Sequence, residues 1–263
     1  MQYCRVEKKG HVQYVTITRP EVFNALHAPA NLELDGVWND FAADEEMWVA
    51  VFTGEGNRAF SAGNDLKYTA EMSRLPENER PKFGFPKGGF GGLTSRYDLF
   101  KPIIARVNGY ALGGGLEMAL ACDIMLLADH AEIGLPEPRR GLIAGAMGVH
   151  RLPRQIGLKA AMGYMLTGRH IKAQRAYELG LCSEVVPLTE LDACVDSYVE
   201  DILRCAPLSV RATKEASMQG LEMTLPDAGA GRYEWELRRR TSADSVEGPR
   251  AFAEKRTPNW TGK

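Results

Sequence analysis

Three consecutive glycines, Gly113, Gly114 and Gly115, constrain the fold more than any other feature of this sequence. Residues 103–107 before them form a short apolar run typical of a strand, and residues 116–123 after them repeat apolar side chains at helical spacing. Because glycine lacks a Cβ, the backbone there can approach a ligand, and the first amides of the helix point outward with partial positive charge. The stretch predicts either a tight strand-to-helix turn or a site for an oxygen that becomes negative during a reaction.

The composition is that of an ordinary globular protein. The 263 residues, 44% hydrophobic and 25% charged, suffice for one large domain or a domain with an appendage. The formal charge of −2 gives no overall attraction to nucleic acid or anionic lipid. Five cysteines without a Cys-x-x-Cys pair favour reduced thiols, and five scattered histidines predict no metal site. With no signal peptide and no run of about 18 apolar residues, we expect a cytoplasmic protein that does not enter the membrane.

The first half of the chain predicts a repeated order of strand, helix and strand. Residues 12–18 are rich in β-branched and aromatic side chains and end before Pro20, as a strand entering a loop does. After Pro29 the apolar residues recur at helical spacing, and residues 48–53 form a nearly continuous apolar run, which indicates a strand covered on both faces. Residues 123–128 repeat that run. Together these segments predict an α/β fold.

The end of the chain has the pattern of helices separated by glycine or proline. They are expected at residues 161–166, 173–179, 191–203 and 208–218. Little chemistry is expected in this part of the chain. We therefore divide the protein into a core of residues 1–204, which carries the site, and a helical region of residues 205–263, which serves in assembly.

Residues 60–66, with the sequence Phe-Ser-Ala-Gly-Asn-Asp-Leu, form a second small-residue turn that leads into a helical pattern. Its amides are expected to face the first glycine turn. Residues 76–92 contain eight Pro or Gly among seventeen residues, too many for regular structure. Phe83, Phe85 and Phe90 lie in this segment. It is either a mobile flap that closes over an apolar group such as an acyl chain, or a surface loop fixed by its aromatic side chains.

Two carboxylates stand near these turns. Glu117 stands two residues after the last of the three glycines, and Glu137 lies between two prolines, where we expect a stiff, extended backbone. Such a pair can divide acid and base roles, because burial and mutual repulsion raise the pKa of one carboxyl. The alternatives are structural. Glu117 would then stabilise a helix dipole, and Glu137 would pair with Arg139 or Arg140 at the surface.

Three of these segments resemble the enoyl-CoA hydratase/isomerase (crotonase) family in order and spacing. They are residues 60–66, 108–117 and 135–137. Within the family the chain is most similar to carnitinyl-CoA dehydratases, through residues 88–94 and residues 247–256. The resemblance covers most of the chain. It implies a crotonase-like spiral of strand-strand-helix turns, followed by a helical region that builds trimers, often paired into hexamers.

The resemblance also implies a reaction, the addition of water to a conjugated acyl-CoA thioester or the reverse dehydration. The amides of Asn64 and Gly114 would bind the thioester oxygen. Glu117 would take a proton from water, and Glu137 would deliver one to the α carbon. The amide of Gly145 would hold the water. CoA would arrive as part of the substrate, so no separate cofactor is expected.

The CoA part of the substrate is expected to contact the loop after Pro20, the second turn and the C-terminal end of a neighbouring subunit. The residues implied are Val22, Ala62, Asp65, Leu66, Phe252 and Lys255. The loop after the second glutamate departs from the usual family pattern, because Ala144 and Met147 stand where proline and glycine are common. We expect this departure to affect which acyl group is bound more than which type of reaction is catalysed.

Two other functions remain open. An enoyl-CoA isomerase of the same fold needs one carboxylate to shuttle a proton, and the presence of both Glu117 and Glu137 argues against it. A CoA-binding protein with an RNA-binding role would use Arg139, Arg140 and the arginines at 238–240. The net charge argues against nucleic acid as a partner, and tight, salt-sensitive RNA binding would favour it.

Overall fold

Two sheets form the framework of the protein, whose computed structural model describes residues 1–84 and 86–263. The larger sheet has six strands, in the spatial order β1 (Cys4–Lys9), β2 (Val12–Ile17), β3 (Val49–Gly54), β5 (Ile103–Val107), β7 (Ile124–Ala128) and β10 (Glu184–Val186). The smaller sheet has the order β4 (Ala59–Ser61), β6 (Tyr110–Leu112), β8 (Glu132–Gly134) and β9 (Ile171–Lys172). Neighbouring strands are parallel except for β1 with β2 and β8 with β9.

Helices follow the strands and cover the sheets. They are α1 (Ala28–Ala43), α2 (Leu66–Arg74), α3 (Gly114–Ala121), α4 (Gly148–Ile156), α5 (Leu158–Met165), α6 (Ala173–Glu178), α7 (Leu191–Leu203), α8 (Pro207–Gly220), α9 (Leu225–Ala230), α10 (Glu234–Arg240) and α11 (Ala243–Glu254). Pro207 stands at the start of α8, where a missing N–H breaks no helical hydrogen bond. No helix in the described part of the chain combines the length and the apolar character needed to span a bilayer.

The middle of the chain repeats one unit. A strand of the larger sheet leads into a strand of the smaller sheet and then into a helix, as in β3-β4-α2, β5-β6-α3 and β7-β8-α4. Successive units stack because β3, β5 and β7 are neighbours in one sheet while β4, β6 and β8 are neighbours in the other. The result is a spiral of strand-strand-helix turns. The predicted α/β class is confirmed.

The side chains of β3 alternate between two cores, since successive residues of a strand point to opposite faces. Phe52 packs with Trp38 of α1 in the core that also includes the smaller sheet, and their rings meet edge to face at 5.2 Å. Val49 and Val51 pack on the opposite face, against Val195 of α7 and its neighbours. The continuous apolar run thus forms a strand covered on both faces, as predicted.

Several elements were not expected from the sequence, among them β1, β9, β10 and α4. β1 carries four charged residues among six, so its apolar pattern is weak, yet it pairs along its whole length with β2 at the sheet edge. β10 adds a short sixth strand inside the region predicted as helical. α4 begins at Gly148 and contains Pro153, both of which mask its helical character in the sequence. The four helices expected at 161–218 are present as α5, α6, α7 and α8.

Candidate active site

The turns at residues 62–64 and 112–114 lie against each other, because β4 and β6, which lead into them, are paired. A Cβ on Gly63 would lie 2.6 Å from the carbonyl oxygen of Leu112 and 2.7 Å from the nitrogen of Gly114. Gly63 also has a φ of 83°, which side-chain-bearing residues rarely adopt. Glycine is therefore required at this position. The expected contact between the two turns is confirmed.

The backbone N–H groups of Asn64 and Gly114 are free at this junction. Neither donates a hydrogen bond to any residue within 1–84 or 86–263. Gly114 is the first residue of α3, so its N–H lies outside the helical hydrogen bonds, whereas the N–H of Gly113 donates to the carbonyl of Gly134 at 2.8 Å. Both free donors border the same cavity. Together with the positive end of α3, they suit an oxygen that acquires negative charge.

Glu117 lies in the first turn of α3 and is 3% exposed. Its Oε1 accepts a hydrogen bond from the N–H of Gly148 at 2.8 Å. Burial raises the pKa of Glu117 to about 7, and repulsion by Glu137 adds to the shift while the bond from Gly148 opposes it. A carboxyl with this pKa can gain or lose a proton near neutral pH, which suits it to proton transfer.

The backbone around Glu137 differs from the expectation. It forms a 3₁₀ helix, Glu137–Arg140, directly after β8, so the predicted extended conformation is wrong. Pro136 precedes this helix with a ψ of 10°, and Pro138 lies in its first turn. A proline is tolerated there because the first residues of a helix have no internal acceptor for their N–H groups. The helix nevertheless holds the carboxylate at a fixed place.

The side chain of Glu137 reaches the same cavity as Glu117. Its Oε1 would lie 2.9 Å from a Cβ on Gly113, and its Oε2 is buried without a hydrogen-bond partner among the described residues. Burial raises the pKa of Glu137 as well. Arg139 donates to the carbonyl of Thr167 at 2.8 Å instead of pairing with this glutamate. The surface ion pair considered as an alternative is thus not formed with Arg139.

A cavity of about 760 Å³ joins the two carboxyl groups and the two free amides. Much of its wall is apolar, formed by Leu66, Met72, Phe83, Phe90, Leu142 and Ile143. Among the described residues that line it, Glu117 and Glu137 are the carboxylates. No group of three His, Cys, Asp or Glu side chains in the described chain is placed to hold a metal ion. The arrangement can therefore bind an apolar group and exchange protons with it.

Comparison with known proteins assigns the fold and the family. The sequence model described as Enoyl-CoA hydratase/isomerase matches residues 7–263. The chain belongs to this family. Carnitinyl-CoA dehydratase of Proteus mirabilis is 38% identical over 266 residues, covering 100% of this chain and 99% of that protein. Carnitinyl-CoA dehydratase of Escherichia coli K12 is 38% identical over 260 residues, covering 97% of each chain.

Solved structures of other enoyl-CoA hydratases have the same architecture. The enoyl-CoA hydratase of Mycobacterium tuberculosis H37Rv matches with a TM-score of 0.90 and 35% identity, and both chains are covered at 100%. The enoyl-CoA hydratase of Bacillus anthracis matches with a TM-score of 0.87 and 33% identity, again over 100% of both chains. The family and the crotonase-like spiral inferred from three sequence motifs are confirmed.

Residues 88–92 of this hydratase/isomerase-family chain are fixed on α1. The N–H of Gly91 donates to Oδ1 of Asn31 at 2.6 Å, and its carbonyl accepts from Nε1 of Trp38 at 3.0 Å. Phe90 directly precedes Gly91 in the chain and lines the cavity. The second half of the predicted flap is therefore a loop fastened to the core.

The first half of that segment has a different character. A single 3₁₀ turn, Glu77–Glu79, is followed by exposed residues as far as position 84. Phe83 lines the cavity and is 43% exposed. Phe85 lies outside the described residues. Phe83 and Phe90 thus line the apolar cavity, while closure of the segment over a bound group stays a prediction.

Two glycines at the start of α4 and in the loop before it bear on the site, and the sequence predicted a role for Gly145 but not for Gly148. The N–H of Gly145 donates to the carbonyl of Ile143 at 2.8 Å, so its expected role as a water holder requires that bond to open. Gly148 supplies the N–H that binds Glu117. Met147 before it has a φ of 78°, a left-handed conformation that is rare for a residue with a side chain. The first N–H groups of a helix have no partner within that helix, and this rule could have pointed to Gly148 as a donor.

Two residues of the second turn that were predicted to contact CoA line the cavity. They are Ala62 and Leu66. Asp65 lies between them in the chain but is committed to the fold, because its Oδ1 accepts from the N–H of Tyr68 at 3.1 Å and its Oδ2 pairs with Arg19 at 3.0 Å. Asp65 therefore caps α2 and fixes the turn.

Three other residues expected near CoA do not line the cavity. Val22 is the last residue of a 3₁₀ helix, Pro20–Val22. The next residue, Phe23, accepts a hydrogen bond at its carbonyl oxygen from the N–H of Ala62 at 2.9 Å. Val22 is thus beside the second turn. Phe252 and Lys255 lie at the end of α11, where Phe252 is 87% exposed. A single chain does not bring these last two residues to the site.

Proposed function

We propose that the protein adds water to the double bond of an enoyl-CoA thioester, or removes water from a 3-hydroxyacyl-CoA. One observation carries this proposal: two carboxyl groups, the buried Glu117 and the half-buried Glu137, share an apolar cavity with the free amides of Asn64 and Gly114. Membership of the family supports it, as do relatives named enoyl-CoA hydratase and carnitinyl-CoA dehydratase.

In hydration, Glu117 takes a proton from water while the water oxygen bonds to the β carbon. The π electrons shift toward the thioester oxygen, where Asn64 and Gly114 donate their N–H groups, and loss of one such donor costs roughly 2.7–4 kcal/mol. Glu137 then protonates the α carbon as the carbonyl re-forms. Exchange with solvent returns both carboxyls to their starting states. In dehydration the roles of the two glutamates are exchanged.

Burial raises the pKa of both carboxyls, which suits each of them to proton transfer. The pKa of Glu117 near 7 lets it lose its proton at neutral pH, and the bond from Gly148 favours that ionised form. Glu137 has a raised pKa and no hydrogen bond to its Oε2 from the described chain, which favours the protonated form. Two carboxyls are more than a proton shuttle requires, so the arrangement supports hydration over isomerisation.

We also propose that the CoA part of the substrate runs past Val22, Ala62, Asp65 and Leu66. The contact between the loop after Pro20 and the second turn supports this placement. CoA then enters as part of the substrate, and the reaction requires no other organic cofactor.

Assembly would complete this site. We propose that residues 205–263 form the contact region of a trimer or hexamer, in which Phe252 and Lys255 reach the CoA of a neighbouring subunit. Exposed apolar side chains support the proposal, since Leu221, Leu225 and Phe252 are 78%, 86% and 87% exposed.

An RNA-binding role gains no support from the arginines at 238–240. Arg239 and Arg240 both contact Glu236, at 2.7 and 2.9 Å, and Arg238 pairs with Glu234. The run is therefore largely neutralised by acids of the same helix. Binding to a phosphate backbone would have to compete with these pairs.

The proposed function is tested by assaying purified protein against enoyl-CoA and 3-hydroxyacyl-CoA thioesters, with crotonobetainyl-CoA included because of the named relatives. Loss or gain of the conjugated thioester absorbance reports hydration or dehydration. We expect reversible hydration of at least one enoyl-CoA. Movement of the double bond without incorporation of water would instead identify an isomerase.

A further inference from the structure

The cavity is lined by two positively charged side chains that have no role in the proposed hydration. Arg80 and Arg140 both line it. Arg140 ends the 3₁₀ helix that begins with Glu137, so the guanidinium group and the proposed acid belong to one short helix. Arg80 belongs to the segment after α2 that also carries Phe83. Both charges therefore belong to segments that also supply apolar residues of the cavity wall.

Arg140 is available to a ligand. It is exposed, and its guanidinium group forms neither a hydrogen bond nor an ion pair with any residue of the described chain. Arg139 beside it provides a contrast, because its Nε is bound to the carbonyl of Thr167 at 2.8 Å and its side chain does not line the cavity. Arg139 is thus bound within the fold, whereas the side chain of Arg140 is free to contact a ligand in the cavity.

Arg80 is held in place by the end of α2. Its Nε donates to the carbonyl of Leu75 at 2.9 Å, and Nη2 donates to the carbonyl of Ser73 at 3.0 Å. These bonds fix the orientation of the guanidinium group, whose Nη1 has no partner in the described chain. A planar, fixed guanidinium is suited to binding an oxyanion.

The balance of charge in the cavity favours an anionic acyl group over a cationic one. The carboxylates in the described wall are the buried Glu117 and the half-buried Glu137, and both exchange protons in the proposed reaction. A quaternary ammonium, as in a carnitinyl group, would face two arginines, and its nearest counter-charges would be the catalytic carboxyls. A carboxylate would instead meet free guanidinium donors.

We propose that the preferred acyl group ends in a carboxylate, which Arg140 binds with Arg80 as a second cation of the same cavity. The substrate is then a dicarboxylic acid monothioester of CoA, with the double bond next to the thioester. This inference rests on the proposed hydratase function and narrows it. The phosphates of CoA offer the same chemistry to a guanidinium group, so the test must separate the two anions.

The test compares enoyl-CoA substrates of several chain lengths, each with a terminal methyl group or a terminal carboxylate. We expect the wild-type protein to prefer a carboxylate-ended substrate. R140L should lower the ratio of kcat/KM for carboxylate-ended over methyl-ended substrates by roughly 10- to 100-fold. This factor corresponds to the free energy of one charge-assisted hydrogen bond. R139L, which removes a neighbouring charge outside the cavity, should leave the ratio unchanged. R140K keeps the charge and should retain part of the preference.

Three results would overturn the inference. Equal losses of kcat/KM on both substrate series would show that Arg140 binds the CoA phosphates, and no loss on either series in R140L would show that it binds neither anion. Calorimetry with the unreactive thioesters succinyl-CoA and butyryl-CoA separates recognition from catalysis. A preference for succinyl-CoA that R140L abolishes supports the inference even if no hydration is found, whereas hydration of methyl-ended substrates alone would refute it and leave the hydratase function standing.

Discussion

The N–H of Gly148 donates to Oε1 of Glu117 at 2.8 Å, although the residues are 31 positions apart and belong to different helices. The bond ties the start of α4 to the first turn of α3 and fixes one carboxyl oxygen. A glutamine side chain has a carbonyl oxygen that can accept the same bond. Glutamine therefore tests proton transfer at this position without removing the contact.

We expect Glu117→Gln and Glu137→Gln each to lower hydration by about 10²-fold or more, because neither amide can exchange the required proton. Binding of a saturated acyl-CoA, measured by calorimetry, should persist. Glu132→Gln is a suitable control, since Glu132 pairs with His170 at 2.9 Å and does not line the cavity. Near-normal turnover in either test variant would remove that residue from the mechanism.

The pH dependence of hydration should report Glu117. As the base, it must be ionised, and its pKa is raised to about 7. We expect kcat/KM to rise as the pH passes through this value, and the residual activity of Glu117→Gln to lack that rise. A wild-type profile that is flat across neutral pH would contradict the assignment of Glu117 as the base.

The same shift predicts a pH dependence of stability. Folding raises the pKa of Glu117 from its ordinary value of 4.5 to about 7. Below pH 4.5 the carboxyl is protonated in both the folded and the unfolded state, and its contribution to the free energy of unfolding is fully present. As the pH rises to about 7, the unfolded state ionises first, so the free energy of unfolding falls. Urea titrations should show wild type losing up to about 3 kcal/mol relative to Glu117→Gln over this range. A constant difference would argue against the raised pKa.

The amide of Gly114 can be tested by two substitutions that share one steric effect. A Cβ there would lie 2.5 Å from Cε1 of Phe90, so both Gly114→Ala and Gly114→Pro displace that ring. We expect the alanine variant to stay folded, bind CoA and lose most hydration. The proline variant also lacks the N–H and should fall at least 10²- to 10³-fold below wild type.

Proline is tolerable at this position because Gly114 is the first residue of α3. Gly36→Ala in α1, where a Cβ meets nothing within 4 Å, controls for the substitution itself, and thermal melts report folding. Wild-type turnover by Gly114→Pro would place the oxyanion donors elsewhere.

The proposed assembly predicts a trimer or hexamer at micromolar concentration, measurable by light scattering. Phe252→Ala should weaken CoA binding if this exposed side chain reaches a neighbouring subunit. Leu237→Ala, which truncates an apolar side chain that is 52% exposed on α10, provides a comparison. A monomeric protein with unchanged CoA affinity in Phe252→Ala would exclude this arrangement.

The sequence predicted the parts of the site that are encoded locally. The small-residue turns, Glu117 and Glu137 stand within short motifs, and the apolar runs identify the central strands. β1 and β10 were missed because their pairing depends on neighbours distant in the chain, which a charged or three-residue strand does not reveal. The bond from Gly148 to Glu117 was missed for the same reason, since it joins residues brought together only by the fold.

The close contact of Gly63 with Gly114 has a consequence for how such a protein can acquire new substrates. The two amides are aimed by main-chain geometry, and a side chain at Gly63 would collide with the backbone opposite. Substitution at that point can abolish the reaction but cannot adjust it. Side chains such as Met72, Leu142 and Ile143 form the cavity wall without taking part in that contact. Their replacement can change which molecule is accepted while the chemical step stays the same.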